Sequence, residues 1–334
     1  MLSNIIINME IIVLFSLLGA VLFIFLLLLI AAIVLVNVLF GRRAEINKKL
    51  SYYSVEDFKN MEAKPISFKS NKGQVLRGNI YTNKEVNNHK FVIFFHGFGD
   101  GHVSYMKEIS LLINKGYTVM SYDNTGCVNS DGDKMIGLPQ SLIDAEHALK
   151  FFESLVEYKD YPLYLMGHSW GGYTAVNSSI FSKRVDKVVA FSPFNSPSFP
   201  SNGNKFSIKI LHPFLAIVEF FQFGKYSRIT SKKTLTNTSI PIYTISGDED
   251  HMVFRNQAYD IYKKINNPLY KKVLLPNKGH SPQYSIRGEH ALKELGKAVK
   301  KPDFDNSKFD YGLITEQDKE VWNSVFEFLG DERD

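Results

Sequence analysis

Tyr164-Leu165-Met166-Gly167-His168-Ser169-Trp170-Gly171-Gly172-Tyr173 is the stretch of this sequence on which the fold turns. It opens as an apolar run of strand type, passes through Gly-x-Ser-x-Gly, and continues from Tyr173 as a helix. Glycines on both sides of Ser169 permit a tight, strained turn that lifts the serine hydroxyl above a sheet, close to a helix N-terminus. The five residues alone would describe an ordinary structural turn. Set between a strand and a helix, they mark Ser169 as a nucleophile. His168, inside the strained turn, points elsewhere and is expected to pack and hydrogen-bond, not to act as the base.

Outward from that turn, short β-branched or aromatic runs alternate with longer helical periods, the pattern of a mostly parallel sheet covered by helices. Pro65 to Phe68 and Val75 to Tyr81, separated by Asn71-Lys72-Gly73, read as an opening antiparallel hairpin. Phe91 to Phe95 is continuously apolar, as a strand buried on both faces should be. Further strands are expected at Tyr117 to Tyr122, Leu163 to Met166, Lys187 to Phe191, Ile242 to Ile245 and Lys271 to Leu275. Helices are expected at Ser104 to Asn114, Pro139 to Leu155 and Tyr173 to Phe181, with a closing helix capped from Thr315. The interval from about 192 to 236 breaks the alternation. It begins Pro/Ser/Asn-rich and then carries Phe206, Ile208, Leu211, Phe214, Leu215, Phe220 and Phe221. An inserted helical cap, either buried on the main domain or mobile as a lid, accounts for it, and Pro213 is expected to kink or divide its helix.

With the strand, turn and helix in place, the sequence from about Met61 to Gly330 resembles the α/β-hydrolase superfamily, and most of all its serine aminopeptidase-like and acylglycerol lipase-like branches. The resemblance implies an eight-stranded, mostly parallel sheet. It implies that His96-Gly97-Phe98-Gly99, directly after the Phe91 strand, is an oxyanion loop in which the backbone N–H groups of Phe98 and Trp170 act together. It also implies the order nucleophile, acid, histidine along the chain. Gly247-Asp248-Glu249-Asp250-His251-Met252-Val253 resembles the family's Gly-x-x-Asp-x-x-Val and aligns Asp250 as the acid, with Asp248 the competitor. His280, in Gly279-His280-Ser281 beyond the last strand, takes the place of the general base. His251 and His290 are poorer candidates. Related enzymes often show Asp-x-Arg-Gly-x-Gly-x-Ser where this chain has Asp123-Asn124-Thr125-Gly126-Cys127-Val128-Asn129-Ser130. The substitutions of Thr125 and Val128 put the packing of that loop in doubt.

The N-terminus carries a different kind of signal. From residue 11 to 40 there is no charged residue, more than the roughly 20 apolar residues that cross a bilayer. A cleaved signal peptide, the alternative, has an apolar region of about 7 to 15 residues preceded by positive charge and followed by a small-residue cleavage site, and fits poorly. The reading is therefore a tail at 1–10, a single membrane-spanning helix at 11–40, a polar linker at 41–60 and a hydrolase domain at 61–334. Arg42, Arg43, Lys48 and Lys49 follow the helix and only Glu10 precedes it, so the domain is expected on the cytoplasmic side.

Composition narrows the remaining options. A net charge of +5 over 334 residues, without basic blocks, argues against nucleic acid as partner. The single cysteine, Cys127, excludes an intrachain disulfide and reads as a buried, inert thiol. The histidines lack metal-ligand spacing, so the expected chemistry is cofactor-free. The expected substrate is a small acyl ester, lipid or acylglycerol esters included, or a short peptide. Acyl transfer to an alcohol or amine on the same residues, and an inactive membrane-bound interaction module, stand as alternatives.

Overall fold

The computed structural model of the chain describes residues 2–99, 101–197 and 206–331. Residues 198–205, part of the insertion expected at about 192–236, lie outside them, as do the side chains of Phe206 and Ile208. A long helix α1 (Leu2–Phe40) precedes the hairpin of β1 (Met61–Lys69) and β2 (Val75–Asn83). The first parallel units follow as β3 (Phe91–Phe95), α2 (Met106–Asn114), β4 (Thr118–Tyr122), α3 (Gln140–Ser154), β5 (Leu163–His168), α4 (Trp170–Ser178) and β6 (Val185–Phe191). Next come α5 (Phe206–Phe223), α6 (Ser231–Asn237), β7 (Ile242–Gly247), α7 (Tyr259–Tyr262) and β8 (Tyr270–Leu275). The chain closes with α8 (Ile286–Ala298), α9 (Tyr311–Ile314) and α10 (Lys319–Leu329).

The eight strands form one sheet in the order β1-β2-β4-β3-β5-β6-β7-β8, antiparallel only in the pairings β1 with β2 and β2 with β4. Period-two alternation explains how one sheet serves two cores. Phe91, Ile93 and Phe95 face one side with Leu142, Leu149 and Phe152 of α3, while Val92 and Phe94 face the other with Ile109 of α2 and Trp322 and Phe326 of α10. Because β4 lies on one side of β3 and β5 on the other, the loops leaving β3 and β5 part company at their C-terminal ends and open a crevice, the usual place for a site in such sheets.

Three expectations at the local level change. The closing helix is capped by Asp318, whose side chain accepts from Val321 N–H, and Thr315 instead ends α9. Helix α5 runs on through Pro213 as a single element. The N-terminal helix begins at Leu2, so most of residues 1–10 belongs to it.

The linker is also more than a spacer. Ala44 pairs with Cys127 as an isolated parallel bridge, donating its N–H to Gly126 O at 2.9 Å and accepting from Val128 N–H at 2.8 Å. The N–H groups of Ile136 and Met135 donate to the carbonyls of Phe40 and Arg42. Arg43 gives its guanidinium to the carbonyls of Val128, Ser130 and Gly132, so this cation holds a loop as well as flanking the apolar helix. On α1, Ala32, Val36 and Phe40 are buried at four-residue intervals, one face of a helix, whereas Phe15, Leu18 and Phe23 earlier in it are exposed.

Candidate active site

Ser169 stands between β5 and α4 with φ 56° and ψ −114°, a left-handed φ that costs a non-glycine residue about 1–3 kcal/mol. Its surroundings hold it there: Ser169 N–H donates to Phe191 O at 2.8 Å, and Tyr173 N–H donates to Ser169 O at 2.9 Å. The flanking glycines are required by close backbone approach. A Cβ on Gly171 would sit 1.9 Å from Phe95 O, and one on Gly167 would sit 2.3 Å from Gly171 O.

The loops after β7 and β8 bring two further groups to this hydroxyl. Ser169 Oγ lies 2.8 Å from His280 Nε2, and His280 Nδ1 lies 2.8 Å from Asp250 Oδ2. The other oxygen of Asp250 accepts the N–H groups of Met252 and Val253, each at 2.8 Å. Burial pushes this carboxyl up, but hydrogen bonding and attraction from His280 with the two amides hold it below its usual value, so it stays ionised beside the imidazole. Asp250 and not Asp248 is the carboxylate on His280; Asp248 donates its N–H to Leu275 O from the end of β8. His251 and His290 line a second cavity that His280 also borders.

Phe98 and Trp170 meet edge-on, ring centroids 5.7 Å apart, in the same cleft as Ser169. Trp170 is the first residue of α4, so its N–H belongs to the first-turn donors that no carbonyl of the same helix can accept. Phe98 leaves the loop after β3, the strand beside β5, which is why the two lie on one crevice.

Behind these residues runs a chain of hydrogen bonds. Tyr105 accepts from Gly97 N–H at 3.0 Å and donates its hydroxyl to His168 Nδ1 at 2.9 Å, while His168 Nε2–H donates to His280 O at 2.8 Å. Burial, with His280 close by, pushes His168 down to about 3, so the ring is neutral and this tautomer satisfies both its nitrogens. His168 thus ties the loop bearing the expected oxyanion donor to the loop of the expected base. The sequence singles out neither Tyr105 nor Glu289, whose carboxylate accepts the N–H groups of Gly279 and Ser281, both at 2.7 Å, on either side of His280. A signal for Glu289 exists: it sits in the first turn of α8 behind the Ser285 cap.

The loop that departs from the family pattern is packed by other means. Thr125 donates its N–H and its hydroxyl to the buried Asp144, which also accepts from Ser70 and Gln140. Val128 takes φ 38°, an unusual conformation for a β-branched residue, and its peptide is fixed from outside by Ala44 and Arg43. Cys127 between them is fully buried.

Over Ser169 lies a cleft of about 580 Å³, part of it open to solvent. Its apolar wall is made by Phe98, Leu138, Phe194 and Val253 together with Leu39 and Phe40, the last two residues of α1. Phe40 packs edge-on against Phe98 at 5.7 Å. Sequence reasoning assigned the apolar cover to the insertion and missed Leu39 and Phe40, because nothing local places the end of an N-terminal helix beside the turn at Ser169.

Residues 86–234 match the model of the family described as "Serine aminopeptidase, S33". Among solved structures, an esterase of Pyrococcus furiosus is similar at 20% identity and a TM-score of 0.56, covering 77% of this chain and 97% of that one. The acylaminoacyl peptidase of Pyrococcus horikoshii is similar at 18% identity and a TM-score of 0.53, over 76% of this chain and 44% of that one. Acetyl xylan esterase 1 from Thermoanaerobacterium sp. is similar at 17% identity and a TM-score of 0.50, over 72% and 88%. Among curated protein sequences none matches. At these identities the structural likeness establishes the fold, and the family match carries the chemistry. The chain is a serine hydrolase of the α/β-hydrolase type.

Proposed function

We propose that the chain cleaves carboxylic esters through Ser169, His280 and Asp250 while anchored in a membrane by residues 11–40. The observation that carries this reading is the run of two 2.8 Å contacts from Ser169 Oγ through His280 to Asp250. Ser169 Oγ attacks the acyl carbon as its proton passes to His280 Nε2. The negative oxygen that forms is stabilised by the N–H groups of Phe98 and Trp170, on the order of 3 kcal/mol for each donor. Collapse expels the alcohol, which takes the proton from His280 and leaves an acyl-serine. Water, deprotonated by the same imidazole, then releases the acid. The reaction needs no cofactor.

The apolar lining of the cleft favours a carboxylic ester with a lipophilic acyl group. The family described as a serine aminopeptidase favours a second reading, cleavage of an aminoacyl amide by the same steps. Labelling of the full-length protein by a fluorophosphonate probe, abolished by Ser169→Ala, is the expected result. Turnover of acyl p-nitrophenyl esters above aminoacyl anilides is expected with it. Labelling with turnover of anilides alone would select the amide reading, and equal absence of labelling in wild type and Ser169→Ala would leave a binding protein. On the same reading the domain from residue 61 onward faces the cytoplasm. An exterior-only reporter fused after the last residue should therefore stay silent.

A further inference from the structure

We infer that the end of the membrane helix is a wall of the acyl site, and that the substrate is an amphiphilic ester drawn from the bilayer surface, its chain lying against Leu39 and Phe40. The inference rests on the ester reading above and names the substrate class for it.

Four observations converge. Leu39 and Phe40 line the cleft that holds Ser169 and His280. They are held there by a built contact, since the Phe40, Arg42 and Ala44 backbones and the Arg43 guanidinium all bond to residues 126–136. The apolar helix from Met9 to Phe40 has 32 residues, about 48 Å at 1.5 Å per residue, against a hydrocarbon core of about 30 Å. Some 12 residues are therefore surplus to crossing, and the four-residue buried spacing of Ala32, Val36 and Phe40 falls within that surplus. The domain is thus docked along the end of the helix that emerges from the bilayer. Helix α5 lies alongside, with Phe214 5.2 Å from Phe25 of α1, and it exposes Ile210, Phe220 and Phe221. An apolar surface continuous with a membrane-crossing helix is covered by lipid.

The two cavities that His280 lines differ in polarity. The cleft with Leu39 and Phe40 is apolar, whereas the second mixes Glu249, His251, His290 and Lys293 with Met252 and Leu292. An ester laid across Ser169 with its acyl chain in the first and a hydroxylated or charged alcohol in the second satisfies both. Such a molecule is oriented by a bilayer surface as this site would bind it.

The test uses full-length protein in phosphatidylcholine vesicles and p-nitrophenyl esters from acetyl to dodecanoyl. Leu39→Trp should lower kcat/KM for octanoyl and dodecanoyl esters by about 10-fold or more, the scale of losing a few methylene contacts, with acetyl turnover changed less than about 3-fold. Val38→Trp, adding the same bulk to an exposed position of the same turn, should leave the whole profile unchanged. Fluorophosphonate labelling of Ser169 at an unaltered rate shows that Leu39→Trp is folded. A uniform loss across all chain lengths, or a Leu39→Trp profile identical to wild type, overturns the inference while the ester reading stands. A wild-type protein that labels but turns over none of the esters overturns both.

Discussion

The polar and apolar halves of the cleft differ in how much of each comes from the sheet. The polar half comes from residues that follow the carboxyl ends of β3, β5, β7 and β8, their loops held by hydrogen bonds of backbone amides to carbonyls, to Tyr105 or to Glu289. The apolar half joins Phe98, Phe194 and Val253, also from loops after strands, to the end of α1 and the loop at Leu138, which reach the cleft only through the tertiary fold. Chemistry that depends on distances of 2.8 Å is anchored to the sheet. Recognition of an apolar group tolerates looser construction, because the hydrophobic effect is non-directional and scales with area. The difference suggests that the halves can be damaged separately.

The severest test of that separation is the carboxylate. Asp250→Asn should lower kcat by roughly 10⁴-fold, as loss of the correct histidine tautomer does in such triads, and should do so equally for short and long acyl esters. Asp248→Asn should change it by less than about 3-fold on the same scale, since that residue does not touch His280. A reversal of the two would move the acid to Asp248.

A smaller effect is expected at Glu289. Glu289→Gln keeps one acceptor for the Gly279 and Ser281 amides and should lower kcat by about 10-fold, with KM and chain-length preference unchanged, if that carboxylate positions His280. A shift in chain-length preference would instead tie it to the substrate half.

The last expected effect is one of stability and leaves the cleft itself untouched. Glu108 of α2 is fully buried beneath the loop that follows His280, where Gln283 donates to it at 3.3 Å, and burial pushes it up to about 7 from the ordinary 4.5. A carboxyl raised in the folded state binds more protons there than when unfolded. Its stabilising contribution is therefore complete below the unfolded value and is lost as pH rises toward 7, by at most about 3 kcal/mol. Glu108→Gln, neutral at every pH, should raise Tm relative to wild type at pH 8 and little at pH 5. An equal Tm difference at both pH values would show that Glu108 does not titrate in that interval.

The polar half was the more legible in the sequence for the same physical reason that it is rigid. A strand, a glycine turn and a helix carry their signals in adjacent residues, so Ser169 and the loops after β3, β7 and β8 could be placed from periodicity and motif. The resemblance supplied the order of acid and base, and the structure brings both to Ser169. What local sequence could not carry was docking. Ala44 gives no sign that it pairs with Cys127, and Arg43 reads as a charge flanking an apolar helix until its guanidinium is seen on three carbonyls. Glu289 and Tyr105 act on backbone amides distant in sequence, at Gly279, Ser281 and Gly97. Pro213 disrupts a helix in isolation, but α5 is carried past it by packing against α1 and the core. The cap at Thr315 failed because Asp318, three residues on, offers a stronger acceptor for the first turn of α10.

The pairing of Ala44 with Cys127, and of Phe25 with Phe214, also orders events during synthesis. The helix that carries Leu39 and Phe40 is synthesised before residues 127 and 214. Its partners arrive one after another, and the contact across the cleft between Ser169 and His280 spans more of the chain than the one between Ala44 and Cys127, so it is the slower to form. The apolar wall can therefore assemble before His280, the latest-made of the residues around the cleft, exists.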